Sequence, residues 1–475
     1  MSDLLLLPAT VLAQRIRAGE LSPVALIESS LARIDQVNPR LNAFCAVYGD
    51  EARERARECE AAVSRGARLG PLHGLPVAIK DFTPIAGKAT TRGSRVFADW
   101  VPDSSPVIVE RLVGAGAVIM GKTTTPEFAH SSFTSSPLWG ITRNPWDPSR
   151  TSGGSSGGSA VAVATGCVSL AEGTDMGGSV RIPASFCGIV GLKPALGRIP
   201  MDILPTVFDS ISHFGPLART VDDAALFLSV TQGSDDRDIQ SLPDLHIPLP
   251  VPRGVRGLRF ALSVDLGYYR VDPEVDGKVR EAASALARKG ALVEEGALPW
   301  SPAINAAWTR YWEVFLAACF GDHLAAHRGS MDPRVVELIE RGFATGAVEF
   351  KRLEEVRTQQ WQGLAAVFRD HDALICPTMA QPAPAVDLSD GDFDRIDGDG
   401  RYNGLDMTCP FNFVPQCPAL SVPAGTTREG LPIGLQIIGR RFDDISVLRI
   451  GATLEALLKG EAAERPTGDL PNQPP

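Results

Sequence analysis

The sequence lacks most of the features that assign a chain to a class at sight. It has no basic run longer than two residues, as at Arg440-Arg441, and its formal charge is −10. Such a chain repels a phosphate backbone, so no nucleic-acid partner is expected. No apolar run approaches the ~18 residues of a membrane span, so no membrane partner is expected either. The opening MSDLLLLPAT has four leucines behind an aspartate, with no basic segment and no cleavage site. It does not read as a signal peptide, and a cytoplasmic location is expected. None of the eight cysteines (Cys45, Cys59, Cys167, Cys187, Cys319, Cys376, Cys409 and Cys417) falls in a C-x-x-C pair or near a histidine at ligand spacing. They read as free, mostly buried thiols, and neither a metal nor a cofactor is expected. The pattern G-x-x-x-x-G-K-[ST] is missing, which argues against a phosphate cradle. No internal repeat is visible.

What is present is ordinary for a globular enzyme. Apolar residues at 44% and charged residues at 21% are enough for a sizeable core. Residues 8 to 65 read as helices. Ser22-Pro23 is a cap with proline at the first helical position, Val24, Ile27, Leu31 and Ile34 follow at helical spacing, and Asn38-Pro39 is expected to end that helix. From Leu72 onward, short apolar runs alternate with helical stretches. Strands are expected at Leu75–Ile79, Ala117–Met120, Arg259–Leu262, Ala373–Cys376, Ala419–Val422 and Leu435–Ile438, with a helix over 106–114. Strands interleaved with helices indicate a layered α/β fold. The proline-rich stretch 243–252 reads as a surface connection within one domain. Residues 388–404 read as a mobile loop, and they do not fit an EF-hand because the closing glutamate is absent.

The stretch from Thr151 to Arg181 carries the chemistry. Two turns, Gly153-Gly154-Ser155 and Gly177-Gly178-Ser179, are joined by an apolar run. Glycine lets the backbone approach a bound atom, serine supplies a hydroxyl, and free N–H groups on such a turn can hold an oxyanion. A tight turn capping a helix is the plainer reading of each motif alone. The usual activating base is histidine, but none of His73, His130, His213, His246, His323, His327 and His371 sits in a motif that pairs it with these turns. The stretch GGSSG matches G-x-S-x-G formally, yet polar, proline-broken residues precede it where a buried strand is required. A lysine is the alternative base if burial keeps it neutral. Lys80 ends an apolar strand; Lys122 and Lys193 have weaker contexts.

Lys80 and the two serine turns, in that order and at those spacings, resemble the amidase signature family. The likeness is carried by GLPVAIKD, by TRNPWDPSRTSGGSSGGSAVAVATG and by LAEGTDMGGSVRIPASFCGIVGLKP, and it weakens toward the C-terminus. It implies a single α/β/α layered domain over 1–475 around a large mixed β-sheet, the amidase signature fold. Within it, 1–70 form an N-terminal helical cover, 72–250 the signature core, 301–368 a helical insertion on the substrate side, and 370–475 complete the sheet. It also implies a Ser-cisSer-Lys triad: Ser179 as nucleophile, Ser155 as bridging serine on a cis Gly154–Ser155 peptide, and Lys80 as base. The oxyanion would rest on the N–H groups of Met176, Gly177, Gly178 and Ser179. Asp175 and Arg181 would brace the nucleophile turn by an ion pair, and Ser156 and Thr174 would orient the triad. A purely scaffolding role for these four stays open. Thr125 and Ser152 depart from the asparagine and proline common in the family.

The resemblance implies hydrolysis of a carboxylic amide of a small molecule, with esters and carbamates open to the same attack, by a monomer or homodimer. The tRNA-dependent amidotransferase glutaminase is the alternative within the family. After Pro194 the chain is apolar rather than tyrosine-rich and polar, which points to an apolar acyl or aryl substrate. The expected pocket walls are Met176, Ser131, Phe128, Phe133, Trp139, Ile203, Phe208, Trp308, Trp312 and Phe411. An aromatic stripe such as Trp308, Trp312 and Phe315 can equally be helix core.

Overall fold

The computed structural model describes residues 2–458. Eleven strands form one mixed sheet: β1 Phe44–Val47, β2 Pro76–Lys80, β3 Val118–Thr123, β4 Leu170–Asp175, β5 Val190–Lys193, β6 His213–Ala218, β7 Arg259–Leu262, β8 Leu292–Glu295, β9 Ala373–Pro377, β10 Ala419–Thr426 and β11 Pro432–Gly439. Their order across the sheet is β1-β3-β2-β4-β6-β5-β10-β11-β9-β7-β8. β2 runs parallel to both β3 and β4, as β7 does to β8 and β9, and the remaining pairs are antiparallel. Strands on both sides of 243–252 join this sheet, so that stretch is a connection inside one domain.

Alternation along the strands sends neighbouring residues to opposite faces. Ala373 and Ile375 enter one core with the helices Val107–Gly114, Val221–Thr231 and Asp444–Leu458, while Leu374 and Cys376 enter another. That second core lies beneath the helices Ala303–Phe320, Pro333–Ala344 and Ala347–Asp370. A third core packs Ala78 and Ala171 against the wholly buried helix Gly157–Ala164 and the N-terminal helices. No helix among the described residues is long and apolar enough to cross a membrane.

The strand expectations all correspond to observed strands, Arg259–Leu262 with the same ends and the others with shifted ends. Two readings need correction. The helix that Ser22 caps through Ala25 N–H does not stop at Asn38-Pro39 but runs to Leu41. Proline removes one N–H and one bond, which a last turn tolerates. Asn42 in the left-handed region then ends the helix, while Asn38 exchanges hydrogen bonds with Phe44 across the turn. The N-terminal cover is also not all helical, because β1 pairs with β3 and forms one edge of the sheet. The central strands β4, β5 and β6 were not expected. Buried Glu172, Gly173 and Pro216 give them little of the β-branched, unbroken look of a strand.

Candidate active site

β2 and β4 are parallel neighbours inside the sheet, so their C-terminal ends lie side by side. Lys80 is the last residue of β2, and Thr174 and Asp175 close β4. Lys80 shows 0% exposure. Its Nζ lies 2.6 Å from Ser155 Oγ and 2.8 Å from Thr174 Oγ1. Burial drives its pKa down to about 7, against the opposing pull of the Glu172 and Asp175 carboxylates. A lysine near that value is substantially neutral at neutral pH, as a proton acceptor must be.

Ser155 precedes the helix Gly157–Ala164, and the Gly154–Ser155 peptide is cis. Ser156 N–H donates to Ser179 O at 3.1 Å, which ties the two serine turns together. Ser156 Oγ donates to Thr174 O. Behind the second turn, Arg181 donates to both oxygens of Asp175, at 2.9 and 3.0 Å, with both side chains fully buried. Burial alone raises the Asp175 pKa, but Arg181 and the Asn412 amide outweigh it and hold the carboxyl well below its usual range. Arg181 also reaches Asn412, Gln436 and Thr408 O, so the turn is anchored to β11 and to the 406–412 segment.

The turn itself presents donors. The N–H groups of Met176, Gly177, Gly178 and Ser179 find no acceptor among the described residues. Their peptide carbonyls are occupied: Asp175 O by Asn412, Met176 O by Trp308 Nε1 at 3.2 Å, Gly177 O by Thr408 Oγ1 at 2.6 Å, and Gly178 O by Ile182 N–H at 2.7 Å. Buried N–H groups are almost always paired; here two buried donors, of Met176 and Gly178, and two part-exposed ones, of Gly177 and Ser179, stand in succession without partners among the described residues, an arrangement able to receive a negative oxygen. Gly177 and Gly178 are needed for packing. A Cβ on Gly177 would lie 2.3 Å from the Trp308 ring, and one on Gly178, at φ +130°, would lie 1.8 Å from Thr408 Oγ1.

A cavity of about 100 Å³ opens onto Ser155, Thr174, Met176, Gly177 and Ser179. Ser179 is part-exposed there, and its Oγ has no hydrogen-bond partner among the described residues. Of the expected walls, Met176, Ser131, Trp308 and Trp312 line this cavity. The others lie elsewhere. Phe128 is buried, stacked on Phe320 at 4.0 Å. Phe133 stands behind Ile182 and Leu405 and faces an adjoining cavity of about 330 Å³. Trp139 bonds Thr91 Oγ1, and Ile203 lines a separate cleft. Phe208 is 73% exposed, and Phe411 is buried against Trp300. The apolar run after Pro194 therefore does not shape the cavity, and the inference drawn from it loses its basis.

Sequence reasoning missed the polar part of the wall: Asn305, Arg334, Asp390, Asp394, Tyr402 and Asp406. Asp390 accepts from Ser131 Oγ at 2.6 Å, Asp394 from the Tyr402 hydroxyl at 2.9 Å. The aspartate density of 388–404 was the available signal, and that loop folds back over the cavity rather than standing apart. Asp406 is also pushed up by burial. Glu172 was missed too, although a glutamate inside LAEGTD is conspicuous. It accepts from Lys80 N–H and from Thr83 Oγ1, each at 2.9 Å. At the two departures, Thr125 Oγ1 has no partner among the described residues, and Ser152 Oγ reaches the Thr142 and Gly153 carbonyl oxygens. No cluster that could hold a metal occurs among the described residues.

The family model "Amidase" matches residues 25–448. The chain is 37% identical to an acylamidase of Rhodococcus erythropolis over 458 residues, 95% of each chain. It is 36% identical to a glutamyl-tRNA(Gln) amidotransferase subunit of Chloroflexus aurantiacus, over 96% of this chain and 98% of that one. Among solved structures it resembles a bacterial aryl acylamidase with a TM-score of 0.89 at 30% identity, covering 95% of this chain and 96% of that one. It also resembles the peptide amidase of Stenotrophomonas maltophilia with a TM-score of 0.83 at 29% identity, covering 98% and 99%.

Proposed function

Since this chain belongs to the amidase family and is a hydrolase acting on amides, we propose that it cleaves the C–N bond through an acyl-enzyme on Ser179, with Ser155 and Lys80 moving the proton. The observation that carries this reading is the fully buried Lys80 Nζ, 2.6 Å from Ser155 Oγ at the wall of the cavity that holds Ser179. Neutral Lys80 takes the Ser155 proton as Ser155 takes that of Ser179. The Ser179 oxygen attacks the carbonyl carbon, and the resulting oxyanion rests on the free N–H groups of residues 176–179. The proton returns through Ser155 to the leaving nitrogen, the C–N bond breaks, and the amine departs. Water then attacks the acyl-enzyme by the same route in reverse and frees Ser179. An ester or a carbamate presents the same carbonyl.

For the substrate we propose an apolar acyl or aryl amide of small size, handled by this chain alone as monomer or homodimer. Trp308, Trp312, Met176, Ile182 and Leu338 on the cavity wall support this. A second reading, a glutamine-type amide with charged ends, has its own support in Arg334, Asp390, Asp394 and Asp406 on the same wall. Measuring kcat/KM over acetamide, glutamine, anilides of rising acyl length, a phenyl ester and an aryl carbamate tests both, with Ser179→Ala as control. The first reading expects anilides of medium acyl length to exceed acetamide and glutamine by at least tenfold. Preference for glutamine or acetamide overturns it, and full turnover by Ser179→Ala overturns the mechanism.

A further inference from the structure

The oxyanion turn is not held by the signature residues alone. Two of its three bare peptide planes after Met176 are gripped from behind by side chains distant in sequence. Trp308, from the helix Ala303–Phe320, donates its Nε1–H to Met176 O, and Thr408 donates its hydroxyl to Gly177 O. A peptide unit is planar, and in the trans form its N–H points opposite to its C=O. Both peptides are trans, because the cis bonds among the described residues lie elsewhere. Fixing the Met176 carbonyl thus aims the Gly177 N–H, and fixing the Gly177 carbonyl aims the Gly178 N–H, each away from its anchor. Both N–H groups lack an acceptor among the described residues. The third plane, bearing Ser179 N–H, is held by Ile182 N–H from the following helix. Without the two side chains, the two carbonyls would have no hydrogen-bond donor among the described residues to hold their planes.

Both grips are close. Trp308 lies against Gly177 and Thr408 against Gly178 so tightly that neither glycine could carry a Cβ. Trp308 is stacked on Trp312, with ring centroids 5.8 Å apart and 13° between planes, and Trp312 is stacked on Phe315 in turn. Thr408 is tethered through its own carbonyl to Arg181. Its hydroxyl also lies 3.1 Å from Asp406 Oδ1, but its single proton goes to the nearer oxygen, Gly177 O at 2.6 Å.

We propose that Trp308 and Thr408 are positioning residues of the oxyanion hole, orienting the Gly177 and Gly178 N–H groups from outside the signature turn. Trp308 does this while also lining the cavity, so how a substrate presses on its ring is coupled to how well the hole is formed. The proposal rests on Ser179 being the attacking residue, and the experiment separates the two.

Trp308→Phe keeps the ring and removes the donor; Thr408→Val keeps the shape and removes the hydroxyl. Each is assayed for kcat and KM on the best anilide of the panel, and for inhibition by a phenylboronic acid, which forms a tetrahedral adduct on a serine. Loss of a direct oxyanion donor costs about 10²–10³ in rate. Loosening the plane that carries it is expected to lower kcat about tenfold and weaken the boronic acid by a similar factor, with KM within about twofold in Thr408→Val. Unchanged kcat and unchanged boronic acid inhibition in folded Thr408→Val overturn the proposal, as does a rise in KM alone in Trp308→Phe. Should Trp308→Phe not fold, Thr408→Val decides. Ser179→Ala is expected to lose turnover and boronic acid binding. If it keeps both, the nucleophile assignment fails first.

Discussion

Replacing Glu172 with glutamine is expected to move the acid limb of the pH–rate profile to lower pH. The proposed mechanism needs a neutral Lys80, and the groups facing that lysine set how easily it stays neutral. Its Nζ meets the Ser155 and Thr174 hydroxyls, lies 6.0 Å from the centre of the Phe82 ring, and feels the Glu172 and Asp175 carboxylates. Desolvation lowers its pKa from 10.5 to about 7. At pH 7, about half of such a lysine is neutral, whereas an unperturbed one would be neutral in roughly one molecule in 3,000. Burial therefore raises the concentration of competent base by about 10³. Below pH 7 the protonated form accumulates, and kcat/KM is expected to fall about tenfold per unit. Both carboxylates oppose this by favouring the charged lysine, but Asp175 is already paired with Arg181. Among the described residues Glu172 accepts from the Lys80 backbone N–H and the Thr83 hydroxyl and feels the Lys122 charge, and glutamine can still accept from Lys80 N–H. Burial pushes the Glu172 carboxyl up while Lys80 and Lys122 hold it down; removing the charge it carries leaves the desolvation of Lys80 less opposed, so the Lys80 pKa moves further down. Relative to its own plateau, the variant should then keep more of its activity at pH 6 than wild type does. The check is kcat/KM between pH 5 and 9 on one anilide, with the fold monitored by circular dichroism. An acid limb that stays in place or moves upward would refute the electrostatic account of this base.

Other substitutions test separate parts of the structure. Arg181→Met leaves the fully buried Asp175 without its cation; removing one partner of such a pair costs about 3–5 kcal/mol, so urea unfolding should show a loss of that order, and a loss under ~1 kcal/mol would contradict it. Gly178→Ala forces a Cβ into Thr408 at a backbone angle that alanine rarely adopts; amide turnover should drop at least about 100-fold, and near-normal kcat would mean the turn is slack. Phe208→Ala, at an exposed position away from the cavity, should leave kcat/KM within about twofold across the substrate panel, and a selective loss on aryl amides would bring that loop into the site.

Much of the fold was legible because its signals are local. Ser22-Pro23 announces a helix start, and Leu75–Ile79, Ala373–Cys376 and Leu435–Ile438 are short apolar runs that have no other good use. The central strands were not legible for an equally physical reason. Leu170–Asp175 carries a glutamate and a glycine, and His213–Ala218 a glycine and a proline, because neighbours on both sides and the lysine network, rather than intrinsic preference, hold them in the sheet. The apolar run at Met201–Phe208 misled in the opposite direction: its content suggested a pocket, but Ile203 and Phe208 ended in another cleft and in solvent.

By itself the sequence determined the family, because Lys80 and the two serine turns, each of which alone reads as an ordinary strand end or turn, carry the resemblance together through local stretches. Tertiary structure alone decided what those groups can do together. Trp308 meets Met176 from 132 residues away, Thr408 meets Gly177 from 231, and Asp390 meets Ser131 from 259. Burial by the whole fold, not any neighbour in the chain, brings Lys80 near pKa 7. A turn can be written in four residues, but a lysine's desolvation and a cavity's walls are sums over everything packed around them.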